Sequence, residues 1–399
     1  MFLRTLELEE FRSYHRLRLD LDPRGLRLSG PNTSGKSTLL EAIAMLATTR
    51  SPRSSAEREV INWASGEDVG FPPYARVHGG VTRTVGAVEI EIALQADPSK
   101  AGLLKKQIKL NGRGVRAMDA VGTLKAVLFS PEDVTLVSGP PSGRRRYLDL
   151  TISQIDGQYL RALSRYNRVL AQRNSLLKAL ARDRVAPRSA GATSQLAFWD
   201  AELVAYGSAI VARRWATVRR LATLAHERFG WLTGGSGLEL SYVPSLDLTT
   251  MDGRDDALDV ASLQAVVART FEVGLEEARV DEVRRGVSVI GPHRDDATFA
   301  VDGMDLGVFG SRGQQRLAVV ALKLAEADLM TEVAGEPPVL LLDDVLSELD
   351  ANHRSLLTGT AARLGSQLIV TATDEVLLGG ADLADLPRGR VNAGVMEVV

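Results

Sequence analysis

Gly30-Pro31-Asn32-Thr33-Ser34-Gly35-Lys36-Ser37 decides how the rest of the chain is read. It fits the pattern GxxxxGK[ST], in which glycines let backbone N–H groups curl round an anion. The lysine reaches phosphate oxygens, the hydroxyl ligates a divalent cation, and the helix N-terminus behind favours negative charge. The flanks agree. Leu26-Arg27-Leu28 is a short strand before the loop, and Leu39, Leu40, Ile43 and Leu46 follow at helical spacing.

Working outward, Leu6 and Leu8, then Leu17, Leu19 and Leu21, alternate with polar residues as strands do. Val88, Ile90, Ile92 and Leu94 alternate likewise, and Asn111-Gly112 and Asp302-Gly303 signal tight turns. From about Tyr147 to Glu282 the pattern is helical, except near Leu238 to Val243. Leu163, Leu170 and Leu177 mark one helix face, and Arg161, Arg165 and Arg168 lie on the other side. Asp183 to Ser194 reads as a loop. Val339-Leu340-Leu341-Leu342 suits a buried parallel strand, as does Leu368-Ile369-Val370. The expected fold class is α/β, with a head domain built from both chain ends (1–146 and 286–399) and an inserted, mainly helical domain (147–285).

The Val339 strand ends in Asp343-Asp344, acids at the carboxyl edge of a parallel sheet, where nucleotides bind. Asp343, with Ser37, is assigned to a magnesium ion, and Asp344 to the attacking water. Lys36, Asp343 and Asp344 are the catalytic candidates. Gly30 to Ser37 together with Thr38 would hold ATP. Ser311-Arg312-Gly313-Gln314-Gln315-Arg316 begins a long helix. Ser311 with Gln314 is a capping box, and the same capped mouth, with Gly313 in it, can receive a phosphate from another subunit's nucleotide.

Composition bounds the rest. The 399-residue chain is 45% hydrophobic and 25% charged and holds no cysteine. That fits a reducing compartment and excludes thiolate metal sites. Met1-Phe2-Leu3-Arg4 opens no apolar signal-peptide core, and no stretch reaches the roughly 18 apolar residues of a membrane span. A cytoplasmic protein without a membrane partner is expected. Net charge is −2, yet Arg144 to Arg228 holds 16 basic and 6 acidic residues. This excess is either a phosphate-binding face or a solvated or interdomain one. Arg144-Arg145-Arg146 either binds DNA phosphates or pairs with Glu132 and Asp133. His293 has no second ligand at metal spacing. Trp63, Trp199, Trp215 and Trp231 read as core or domain-joint residues.

Phosphate loop, signature, acidic strand and then Ser347-Glu348-Leu349-Asp350 follow the order of the ABC ATPases. Nearly the whole chain resembles the RecF family of that class. The resemblance is carried by Phe11-Arg12-Ser13-Tyr14, by Ser130-Pro131-Glu132-Asp133 with Gly139 and Arg144 to Asp149, by Gly291-Pro292-His293-Arg294-Asp295-Asp296, and by Asp344 to Leu357 with His353. It implies a repair ATPase in which ATP joins two heads into a homodimer, each loop facing the other copy's signature. It also implies binding to double-stranded and gapped DNA beside RecO and RecR, slow hydrolysis, and a nucleotide contact from Arg12. Four positions depart from the usual pattern. Thr33 replaces a glycine, Ser37 replaces a chemically equivalent threonine, Asp344 stands where most ABC ATPases have glutamate, and Thr373 stands at the switch histidine, where it can hydrogen-bond a γ-phosphate. The alternative is a transporter's nucleotide-binding subunit or another ABC-type ATPase without a DNA role. A chromosome-structural relative would need far longer heptad runs.

Overall fold

The strand that feeds the glycine loop is central to a parallel sheet. The computed structural model describes every residue except 55, 67–71, 98–103, 249–258, 393 and 399. They fall into two units, the first comprising residues 1–134, 228–235 and 316–399.

The first unit has two sheets. One is antiparallel, with strands β1 (Phe2–Phe11), β2 (Tyr14–Asp20), β4 (Tyr74–Arg83), β5 (Gly86–Ala96), β6 (Leu104–Leu110) and β7 (Arg113–Val115) in the order β2-β1-β4-β5-β6-β7. The other contains β3 (Gly25–Ser29), β8 (Ala126–Phe129), β12 (Val339–Asp343), β13 (Leu368–Ala372), β14 (Arg388–Asn392) and β15 (Val395–Val398), in the order β15-β14-β3-β13-β12-β8. It is parallel except for the β14–β15 hairpin. Helix α1 (Lys36–Thr48) touches strands of both sheets and buries most of its residues. Its run of apolar residues from Leu39 to Ala47, broken by Glu41, suits such an enclosed place.

Both turn signals form as expected. Asn111 and Gly112 join β6 to β7 with φ of 49° and 76°. Asp302 and Gly303 join β10 (Asp296–Val301) to β11 (Met304–Asp305) with φ of 52° and 73°. These are the paired positive angles that match strand twist in two-residue hairpins.

The second unit comprises residues 135–227 and 236–315. The helices longer than one turn that begin in it are α2 (Pro141–Ile155), α3 (Gly157–Arg182), α4 (Ala190–Thr233), α5 (Val260–Arg285) and α6 (Arg312–Ala334). Helix α4 starts inside the segment expected to be a loop. Segments 135–146 and 286–315 group with this unit, although the sequence places them with the head. The cause is nonlocal pairing: β10 bonds along its length to β9 (Leu238–Val243), and Arg144 forks onto Asp296 with N···O distances of 2.6 and 2.9 Å. Among the described residues no helix is long and apolar enough to cross a membrane.

Gln367 shows how the first unit is tied together. Its buried Oε1 accepts from the Leu3 amide at 2.8 Å, and its Nε2 donates to the Leu3 and Asp22 carbonyls at 2.8 and 2.9 Å. The β1–β4 register shifts between Leu3 and Thr5, so this side chain satisfies backbone groups of β1 at that irregularity. Gln367→Leu strips those groups of partners and should cost about 2–3 kcal/mol. Urea unfolding reads this directly, and an unchanged midpoint would remove the tie.

Candidate nucleotide site

The loop's shape is set by where its backbone has to go. Gly35 has φ 116°, and a Cβ there would stand 2.9 Å from the Tyr14 hydroxyl. That hydroxyl donates to the Gly35 carbonyl at 3.0 Å. The Phe11 to Tyr14 turn therefore braces the loop, and glycine is the residue that fits. Thr33 also has positive φ, 65°, and its hydroxyl donates to the Asn32 carbonyl at 2.5 Å. The threonine that stands where glycine is usual thus takes a left-handed backbone, at a steric cost of about 1–2 kcal/mol.

Lys36 Nζ donates to the Gly30 and Pro31 carbonyls at 2.7 and 2.9 Å, so the ammonium curls back over the loop. Burial holds its pKa below the ordinary lysine value, opposed by the charges of Asp344 and Asp343. Ser37 Oγ donates to Asp343 Oδ1 at 2.7 Å, joining loop and strand end. The Thr371 hydroxyl lies 3.2 Å from the same carboxylate oxygen and accepts the Asp344 amide at 3.0 Å. Burial raises the Asp343 pKa, while the Ser37 hydrogen bond and the charge of Arg53 pull it down. Asp344 sits in the left-handed region, φ 53°, directly after β12.

Two polar atoms here are buried and without a hydrogen-bond partner: Ser34 Oγ and Asp344 Oδ1. An orphan hydroxyl in an anion loop and an orphan carboxylate oxygen beside a magnesium-type acid are what a polyphosphate, its cation and a water would satisfy. The donor set fits ATP with Mg2+: Ser37 and Asp343 for the metal, and Gly30 to Thr38 for the phosphates.

The other predicted residues are placed as follows. Arg12 makes a fork onto Glu41 of α1, at 3.1 and 2.7 Å, and bonds Ser54. Its guanidinium is held by a buried carboxylate of the loop helix itself. Thr373 is exposed just beyond β13. Ser311 and Gln314 form the reciprocal capping box, Gln314 N to Ser311 Oγ at 3.2 Å and Ser311 N to Gln314 Oε1 at 2.9 Å. With Gly313 they make an exposed helix mouth in the second unit.

Arg144 does not fit the part expected of it. It binds Asp296 and the Leu136 and Gly139 carbonyls, so its donors are spent inside the unit, and neither Glu132 nor Asp133 is its partner. Arg145 donates to the Asp295 carbonyl at 2.8 Å. Arg161, Arg165 and Arg168 are exposed on α3, with no ion-pair partner among the described residues.

The Gly291 to Asp296 segment is a structural knot. Asp295 accepts the Ser245 amide at 2.8 Å, bonds the Tyr242 hydroxyl and lies 3.6 Å from Arg214. His293 meets the Tyr166 hydroxyl at 2.7 Å, and burial lowers its pKa to about 4, so it is neutral. Trp63 corrects the reading of the tryptophans: it is 90% exposed. Glu41, Arg53 and Thr371 take part in the site and were not singled out from sequence, because none stands in a recognisable spacing.

A family model described as the RecF/RecN/SMC N terminal domain matches residues 2–385. The DNA replication and repair protein RecF of Thermomicrobium roseum is 46% identical, with 100% of both chains covered. That of Chloroflexus aggregans is 43% identical, with 99% of each covered. A solved structure titled as the recombination mediator protein RecF with ATPrS in the RecFOR pathway superposes at TM-score 0.84, with 28% identity and 100% and 98% coverage. An SMC head bound to the C-winged helix domain of ScpA shares the fold, at TM-score 0.54 and 15% identity. Fold and site together define an ABC-type P-loop ATPase head. Within that class the chain belongs to the RecF family of DNA replication and repair proteins.

Lys36→Ala removes the cation where phosphate charges converge. Hydrogen bonds to charged groups contribute about 1.5–3 kcal/mol each, so ATP affinity should fall at least about a hundredfold. A fluorescent-ATP titration measures it, and unchanged affinity would dismiss the loop as the phosphate site.

Proposed function

We propose that the chain is a cytoplasmic, ATP-dependent DNA-binding protein of recombinational repair and replication restart, with slow ATP hydrolysis. The observation that carries this is the 2.7 Å bond between Ser37 and Asp343, which sets phosphate loop and acidic strand at one point. Lys36 neutralises phosphate charge, and Ser37 with Asp343 would hold a magnesium ion. That ion supplies charge compensation to the phosphates when bound. Asp344 orients and deprotonates the attacking water. Its carboxylate is one methylene shorter than glutamate, which supports slow turnover.

The signature mouth of a second copy completes the site. Gly313 supports this assignment: a Cβ there would meet only Ser311 Oγ, at 3.9 Å. Packing within one chain therefore does not demand a glycine, whereas close approach of a phosphate to the helix mouth does. The homodimer would close on double-stranded DNA near a single-strand gap, stimulating hydrolysis. Family resemblance implies RecR and RecO as partners.

Asp344→Asn keeps shape and loses the general base. ATP turnover should fall about 10²–10⁴-fold while nucleotide binding persists, and the ATP-bound dimer should accumulate. A phosphate-release assay tests this; parental turnover would move the water-activating role to another residue.

Arg161, Arg165 and Arg168 are the exposed stripe proposed to meet DNA phosphates. If some six phosphates are contacted, affinity should fall about a thousandfold between 50 and 200 mM salt. Replacing the three by glutamine should flatten that slope and leave ATP binding intact. A preserved slope with a lower melting temperature would instead make the stripe a structural joint.

A further inference from the structure

Three large apolar side chains stand exposed just before the signature helix. Met304, Val308 and Phe309 are 60%, 73% and 72% exposed, all within seven residues of Ser311. Single exposed hydrophobics are ordinary, but a cluster beside a polar site marks an interaction surface.

This lip is firmly built. Asp305 caps its single helical turn, accepting from the Gly307 and Val308 amides at 2.6 and 3.1 Å. Leu306, between the exposed residues, is buried. Gln315, the buried residue of the signature, donates through Nε2 to the Leu306 and Gly310 carbonyls at 2.8 and 3.3 Å. A Cβ on Gly310 would stand 2.6 Å from the Leu306 carbonyl, so the lip closes tightly on its own turn. Its apolar side chains are therefore displayed at a fixed place relative to the helix mouth, and among the described residues Val308 and Phe309 stay mostly exposed.

We propose that Val308 and Phe309 form an apolar docking lip for a second copy of this chain, continuous with the signature mouth and buried when nucleotide closes the homodimer. The proposal rests on the composite-site reading above. A two-fold interface is self-complementary, so the half of the site that carries the phosphate loop needs an apolar counterpart. That half offers one: Val376, 82% exposed, stands three residues beyond Thr373 at the carboxyl end of β13. A phosphate contact at Ser311 brings the lip with it, since Gln315 joins the two. Apolar burial round a polar contact excludes water from it, and exclusion of water strengthens the contact. The lip makes dimer strength depend on apolar area as well as on nucleotide charge.

The test is sedimentation of the full chain with ATP and magnesium, for the parent, Val308→Ser/Phe309→Ser, Phe309→Leu and Ser311→Arg. The parent should dimerise and Ser311→Arg should not. The double variant should bind fluorescent ATP as the parent does, yet weaken the dimer at least about tenfold, as expected when two large apolar side chains lose their burial. Phe309→Leu, which keeps an apolar side chain, should retain most of the association. A double variant that dimerises as the parent does would overturn the lip and leave the composite site standing, even if its DNA binding fell. A parent that stays monomeric with nucleotide would overturn both readings.

Discussion

The fold is constrained by a carboxylate that stands nearly buried, where burial raises its pKa. Asp343 is 9% exposed at the end of a strand with neighbours on both sides. A charge taken out of water costs several kcal/mol unless hydrogen bonds and opposite charge compensate. Here compensation comes from the Ser37 hydroxyl, the Thr371 hydroxyl and the field of Arg53. Each depends on register. Thr371 faces Asp343 because β12 and β13 pair in parallel at that level, and β13 pairs with β3 so that Ala372 faces Ser29. The loop therefore leaves β3 level with the acidic end of β12. A one-residue slip would turn these side chains to opposite faces.

Much of this was legible because it is local. Alternation in β1, β2 and β5, two hairpin turns, and an apolar run ending in acids are each read within about ten residues. The site was legible where chemistry fixes residue type at fixed spacing, as with Lys36, Ser37, Asp343 and the capping box of Ser311. Thr33 was legible as a departure, and its positive φ is a conformation that glycine adopts at less cost.

What escaped depends on residues far apart in sequence. Arg144 finds Asp296, and Leu3 finds Gln367 across almost the whole chain. The limits of the two units escaped for the same reason. Helix α3 shows a subtler failure. Leucines at seven-residue spacing marked one face, but of these Leu177 alone is buried, and the rest of the buried face is Tyr159, Ala162, Tyr166, Val169, Arg173 and Leu180. An arginine in the core is invisible to a hydrophobic pattern. Its place follows from its partners: Asp200 at 2.7 Å, Glu282 at 2.6 Å and the Ser288 hydroxyl at 2.7 Å.

That observation changes what the local positive charge means. A window from Arg144 to Arg228 counts its own acids and not those supplied from later in the chain. Arg144 is neutralised by Asp296, Arg173 by Glu282 and Asp200, Arg214 by Asp149 and Asp295, and Arg228 by Asp328. Most of these acids lie outside the window, so the excess read from sequence overstates the field that reaches solvent. Buried ion pairs of this kind fix helix positions and offer little to a ligand, because each donor is already spent. The arginines still able to meet an outside anion are those that are exposed and have no ion-pair partner among the described residues, and on α3 these are Arg161, Arg165 and Arg168. Spaced at i, i+4 and i+7, they share one helix face and span about 10 Å along the axis, roughly three phosphate steps of a strand. The same helix thus uses arginine in two ways: Arg173 inside, to set the helix against its neighbours, and the stripe outside, to hold three exposed cations on the line that this packing provides.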